Sequence, residues 1–121
     1  MPSIDRPLAG EVLVHDLVQE SAHATTADAL GRNGRNARTL IKSGPLRVTL
    51  VALAPGGEIA EHHADGPITV QPLHGRIRFR VAGVVHELAP GQLLSLAPGV
   101  RHAVAADDAA TFLLTVSAPG A

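Results

Sequence analysis

Short apolar runs, separated by glycine and proline, fill most of the chain from about Arg38 to its end. The runs recur at intervals of roughly ten residues, which is the spacing of strands in an all-β sandwich or barrel. We predict strands in "LRVTLVAL", in "APGQLLSLAPG" between its two Pro-Gly turns, and in "ATFLLTVSA". The predicted fold class is therefore all-β, with antiparallel strands.

The clearest single element is a hairpin in "GRIRFRVAGVVHEL". Arginines occupy every second position from Arg76 to Arg80, and apolar residues fill the positions from Ile77 to Val81 between them. Because successive side chains of a strand point to opposite faces, this alternation predicts one polar and one buried face. We place the turn of the hairpin at Ala82-Gly83.

The first 37 residues have a weaker pattern. We interpret "EVLVHDLV", residues 11–18, as an edge strand, and "ESAHATTADALGRNGRNAR" as an irregular or short-helical linker. This interpretation divides one domain of residues 1–121 into an N-terminal strand and linker, residues 1–37, and a barrel, residues 38–118.

The composition fits one folded domain with an aliphatic core. A chain of 121 residues is long enough for one compact domain and too short for two ordinary ones. Hydrophobic residues make up 45% of the chain and charged residues 17%, which argues against disorder. With a net charge of -1, two phenylalanines and no tryptophan or tyrosine, the chain lacks the basic field and the stacking surfaces that nucleic-acid binders use.

The chain contains no cysteine, which excludes disulfides, thiolate nucleophiles and sulfur-ligated metals. Any metal would have nitrogen and oxygen ligands. The segment "MPSIDRPLAGEV" has no basic stretch followed by an apolar run, and no segment reaches the ~18 consecutive apolar residues of a membrane span. We expect a cytoplasmic protein that does not bind membranes.

Histidines are concentrated in "AEHHADGPITVQPLHG", residues 60–75, which holds three of the seven. The order of turns and histidines resembles the small single-domain cupins, RmlC-like proteins with an antiparallel jelly-roll barrel. The two motifs of that family are G-x5-H-x-H-x3-4-E-x6-G and G-x5-P-x-G-x2-H-x3-N. Six residues take the positions of the family's glycines and histidines: Gly56, His62, Gly75, Gly91, Gly99 and His102.

The resemblance implies a metal site built from two histidines and a glutamate of the first motif and one histidine of the second. In this chain Ala64 stands at the second histidine position and Ile68 at the glutamate position. Only His62 and His102 carry over. Two imidazoles fall short of the three protein ligands that catalytic metal sites usually have.

His63 is the alternative ligand in the first motif. Adjacent residues of a regular strand face opposite sides, so His62 and His63 cannot both point into the barrel. A bulge before the turn, counted with the longer motif spacing, would place His63 at the second histidine position and Glu61 at the first. Both alignments stay open at this point.

We expect ligand contacts from His62, His102, Ile68, Val70 and Gln71, since "PITVQ" reads as a strand at the barrel mouth. Gln71 has the wrong parity in a regular strand and faces inward only if Pro72 marks a change of register. A divalent metal (Zn, Ni, Mn or Fe), if bound, is expected at His62 and His102 with His63 as a third ligand.

Three functions are compatible with these residues. The first is a barrel that binds a small organic molecule at its mouth. The second, implied by the resemblance, is a metal-dependent dioxygenase, decarboxylase or isomerase of a small oxygenated acid. The third is metal-free proton transfer by His62 or His102. Small cupins also commonly form homodimers, and "EVLVHDLV" is our candidate for the segment that covers the neighbouring copy.

Overall fold

Nine strands form two antiparallel sheets in the computed structural model, which describes residues 7–118. The five-stranded sheet has the order β1-β2-β9-β4-β7 and the four-stranded sheet the order β3-β8-β5-β6. The predicted antiparallel jelly-roll class is confirmed. The elements in chain order are α1 (Leu17–Ala24), α2 (Ala27–Leu30), β1 (Arg35–Ser43), β2 (Leu46–Leu53), β3 (Glu58–His62), β4 (Ile68–His74), β5 (Ile77–Val81), β6 (Val84–Leu88), β7 (Leu94–Leu96), β8 (His102–Ala105) and β9 (Ala110–Ser117).

The main core lies between the two sheets. Strands β2 to β9 contribute side chains to it, and Phe79, Phe112 and Leu53 are among the largest that are fully buried. The predicted hairpin is confirmed as β5 and β6, joined by Ala82 and Gly83. Both turn residues have positive φ, 50° and 79°, as in the two-residue turns whose twist matches that of paired strands.

A second apolar cluster covers the outer face of the five-stranded sheet. Leu40, Leu50 and Ala52 of the sheet are buried there together with Ala24 of α1. The two N-terminal helices thus supply a third layer over one sheet, whereas the four-stranded sheet has no helix on it within residues 7–118.

The edge strand expected in residues 11–18 is absent, and α1 begins at Leu17 instead. The physical reason is the N-cap: the Asp16 carboxylate accepts hydrogen bonds from the backbone N–H groups of Val18 and Gln19, at 3.0 and 3.1 Å. The barrel also begins earlier than expected, because β1 starts at Arg35 rather than near Arg38. No helix among the described residues is both long and apolar enough to cross a membrane.

The loop before β5 approaches β9 so closely that Gly75 leaves no room for a side chain. A Cβ atom there would lie 2.3 Å from the Ala109 carbonyl oxygen, and the φ angle of Gly75 is +73°. Gly83 has a similar φ of +79° but no atom within 4 Å of an added Cβ. A side chain at Gly75 would meet both steric overlap and backbone strain, whereas a side chain at Gly83 would meet backbone strain alone.

We therefore expect Gly75→Ala to destabilise the protein more than Gly83→Ala. The Gly83 variant carries left-handed strain alone, a loss of about 1–2 kcal/mol in the free energy of unfolding. The Gly75 variant adds overlap with backbone that cannot rotate away, for a total of about 2–5 kcal/mol. Urea unfolding of the two variants beside the wild type measures the difference. Equal losses would contradict the close approach at Gly75.

Candidate functional site

His62 and His102 face each other across the pairing of β3 with β8. Along β8 one residue lies between His102 and Val104, whereas along β3 two residues lie between Ile59 and His62. The extra residue is a bulge, and it brings His62 opposite His102. The two ring centroids are 4.3 Å apart, with an interplanar angle of 63°.

His102 is a buried histidine held on three sides. Only 4% of the residue is exposed. Its ring stacks on Phe79 of β5, with centroids 5.1 Å apart and planes 14° from parallel. Its Nδ1 atom lies 3.0 Å from the carbonyl oxygen of Val100. Because a carbonyl only accepts hydrogen bonds, Nδ1 carries the proton and Nε2 of the neutral ring is left with a lone pair.

His62 repeats the same arrangement at the surface. Its Nδ1 atom lies 2.8 Å from the carbonyl oxygen of Ala60. In both histidines the carbonyl belongs to the residue two positions earlier in the chain. The proton is again fixed on Nδ1. Neither Nε2 atom has a hydrogen-bond partner among residues 7–118. Each ring, in its neutral form, thus offers the lone pair of Nε2 and no free N–H group.

Burial lowers the pKa of His102 below the ordinary value of 6.5. The hydrogen bond to the Val100 carbonyl raises it, and the positive charge that His62 and His63 would carry lowers it further, but desolvation is the largest effect. His102 is therefore neutral at pH 7, and its Nε2 is available as an acceptor or a base.

The rim of the four-stranded sheet continues from the histidines into apolar residues. In register, His102 lies between His62 on one side and Val81 on the other, and Val84 follows on the edge strand. A model of the cupin domain matches residues 49–117 of the chain, which include this rim.

The chain belongs to the cupin family.

Solved structures agree with this assignment. SPY1581, a conserved protein of unknown function from Streptococcus pyogenes, is 27% identical, with 95% of each chain covered and a TM-score of 0.73. A cupin superfamily protein from Desulfitobacterium hafniense DCB-2 is 19% identical over 73% of this chain and 81% of its own, with a TM-score of 0.68. KdgF from Halomonas is 15% identical over 69% and 81%, with a TM-score of 0.62. No curated protein matches the chain.

These likenesses confirm the small cupin domain and its fold but assign no specific activity. At 19% and 15% identity a shared barrel is all that the second and third structures establish. One barrel supports many chemistries, so the activity has to be argued from the side chains of this cupin.

The side-chain directions agree with the alignment that places His62 at the first histidine position of the motif and Ala64 at the second. Ile68 is 3% exposed and lies in the core, while Ala64 packs against the same core. Glu61 points outward and accepts a hydrogen bond from Nε of Arg101 at 3.0 Å. The His63 side chain is 48% exposed, with Nε2 3.7 Å from the Asp65 carboxylate. The positions of the family's second histidine and glutamate are thus filled by hydrocarbon.

The remaining candidates from the "PITVQ" strand divide between two faces. Val70 is fully buried in the core beside Ile68. Gln71 is exposed and lies opposite Leu113, on the outer face of the five-stranded sheet. The change of register in β4 does occur, but it falls after Pro72, too late to turn Gln71 inward. Gln71 therefore does not share a space with His62 and His102.

The residues of this cupin do not fit the three- or four-ligand metal centre that the family implies. Among residues 7–118, no group of three or more histidine, aspartate or glutamate side chains could hold a metal ion. His62 and His102 are two neighbouring nitrogen ligands. The third ligand expected at His63 is directed towards Asp65 instead.

Three residues that contribute to the site were not among our predictions. Phe79 supplies the surface on which His102 stacks, and the carbonyls of Ala60 and Val100 set both tautomers. The inward parity of Phe79 was evident from the alternation of β5, but its contact with His102 depends on the register between β5 and β8. No local signal in the sequence gives that register.

The lowered pKa of His102 makes a prediction about stability. In the unfolded chain, His102 binds a proton near pH 6.5, more readily than in the folded protein. The free energy of unfolding is therefore unaffected by His102 well above pH 6.5 and decreases as the pH falls below it. We expect His102→Asn, which keeps a donor towards Val100 but does not titrate, to lose less of its stability over this range.

Urea unfolding between about pH 7.5 and about pH 5.5 measures the two slopes. His23→Asn, an exposed histidine on α1, is the matched control and should follow the wild type. Parallel curves for the wild type and His102→Asn would show that this histidine is not desolvated.

Proposed function

We propose that this cupin binds a small neutral polyol at the barrel mouth, through the Nε2 atoms of His62 and His102. The observation that carries the proposal is that two backbone carbonyls hold the Nδ1 protons, which leaves a lone pair on each Nε2 atom of the neutral rings. Hydroxyl groups on adjacent carbons donate hydrogen bonds a few ångströms apart, which suits acceptors on rings whose centroids are 4.3 Å apart.

The surroundings of the two histidines support a small and partly apolar ligand. Ala64 and Ile68 face the interior as hydrocarbon, and Val81 and Val84 continue the rim. Binding sites for small molecules typically combine such apolar walls with a few fixed polar groups. Val70, one of the predicted contacts, is 0% exposed in the core, so it has no surface to offer a ligand.

A metal-dependent enzyme is the second candidate, and one observation favours it. Metal-binding histidines usually donate the N–H of their other ring nitrogen to a carbonyl or carboxylate, as both His62 and His102 do. Zinc, nickel, manganese or iron would then have two protein ligands. We rank this candidate second because the third ligand is missing among residues 7–118.

The polyol proposal is tested by titration with glycerol and xylose, monitored by amide NMR. We expect saturable shifts at β3 and β8 that are lost in His62→Asn and His102→Asn, since asparagine replaces Nδ1–H but not the Nε2 acceptor. His23→Asn should bind as the wild type does. Shifts that are absent, or that persist in both variants, would contradict the proposal.

The metal content of protein purified without an affinity tag separates the two candidates. For the polyol site we expect substoichiometric metal that is unchanged in His102→Ala. Stoichiometric metal that disappears in this variant would establish the metal-dependent alternative in place of the first.

We also propose that the cupin forms a homodimer through its N-terminal segment. Val12 and Val14 are 80% and 90% exposed, while Leu13 and His15 between and beside them are half-buried. This alternation gives the segment an outward apolar face, and exposed apolar patches commonly mark contact surfaces. A cytoplasmic location stays a prediction from the sequence.

The homodimer is tested with the double variant Val12→Asp and Val14→Asp. We expect sedimentation at micromolar concentration to give a dimer for the wild type and a monomer for the variant, because charges would be buried in the contact. Val85→Asp is the matched control, since this valine is 49% exposed on another edge. A monomeric wild type would refute the dimer.

A further inference from the structure

A groove with a volume of about 470 Å³ lies between helix α1 and the outer face of the five-stranded sheet. One side is the face of α1 and its C-cap from Leu17 to Thr25, and the other is formed by Leu73, His74 and Thr111. The groove is separate from the barrel mouth, because Thr111 and Leu73 belong to the outward face of their strands.

Thr111 is the unusual residue of this groove. It is 1% exposed, and its hydroxyl is buried with no hydrogen-bond partner among the described residues. A buried hydroxyl without a partner is destabilising, whereas valine would fill the same volume with no such loss. Of its two cross-strand neighbours, Ala52 on β2 is hydrocarbon and buried, whereas His74 on β4 is exposed.

The remaining lining indicates the charge of an occupant. No aspartate, glutamate, lysine or arginine side chain lines the groove. The hydroxyl of Thr25 is engaged with the carbonyl of Ser21 at 2.8 Å. A charged molecule would find no carboxylate, ammonium or guanidinium group here, and the ionisable His74 is at the exposed end of the wall, whereas an apolar molecule would contact Leu17, Val18 and Leu73.

We propose that this groove is a second binding site, for a neutral and mainly apolar molecule with one hydrogen-bond acceptor. The acceptor, such as a ketone oxygen, takes the hydrogen bond of the Thr111 hydroxyl, and the hydrocarbon body lies along α1. The volume is within the range of small-molecule sites in proteins. This site does not depend on the function proposed for the barrel mouth.

Cyclohexanone is the probe for the experiment, because it combines a hydrocarbon ring with a single acceptor. Titration monitored by amide NMR should give saturable shifts at α1, Leu73 and Thr111. We expect Thr111→Val to weaken cyclohexanone binding roughly three- to tenfold, the effect of one neutral hydrogen bond. Cyclohexane should bind the wild type and the Thr111 variant equally.

Three further variants make the result specific. Thr115→Val, on the same strand and face but outside the groove, should leave the affinity unchanged. Ala22 is exposed on α1 and lines the groove. The larger side chain of Ala22→Leu should occupy the groove and abolish cyclohexanone binding without loss of fold. His102→Asn should bind cyclohexanone as the wild type does, which separates this site from the barrel mouth.

Several results would overturn the proposal. Affinity for cyclohexanone that is equal in the wild type and Thr111→Val would mean that the hydroxyl does not contact the ligand. Shifts confined to β3 and β8 would assign binding to the mouth. A change of sedimentation in Ala22→Leu, with cyclohexanone binding intact, would identify the groove as a contact between copies.

Discussion

The pairing of β3 with β8 across one extra residue is the constraint on which the candidate site depends. Ile59 and His62 are an odd number of residues apart, so a regular strand would send them to opposite faces. The bulge between them lets Ile59 pack in the core while His62 turns to His102. A single residue inserted or deleted between Glu58 and His62 would separate the two imidazoles without changing their chemistry.

Strand alternation explains why much of the fold could be predicted. The β5–β6 hairpin has one buried face, and a two-residue repeat with a short turn specifies it locally. The resemblance to the cupin motif, aligned on His62 and Gly75, placed Ala64 and Ile68 at inward positions, and both pack in the core. Features encoded within about ten residues of chain were recognisable.

The features that could not be predicted depend on contacts between distant segments. The bulge in β3 is set by its pairing with β8, forty residues later along the chain, for which no short motif exists. The outer layer depends on α1 packing against β2. A local signal for α1 was present in Asp16 and Gln19, the cap residue and the third helix position, but the apolar run at residues 12–14, two of them β-branched, favoured a strand.

The two carbonyls at Ala60 and Val100 have a consequence for which molecules the cupin rejects. In the neutral form of each ring the carbonyl takes the single N–H group, so that form presents an acceptor and no imidazole donor. Carboxylates and phosphates also have only acceptors, and their negative charge would meet two lone pairs. Under the proposed function, two neutral imidazoles with exposed acceptors therefore favour uncharged, hydroxyl-bearing molecules over anions.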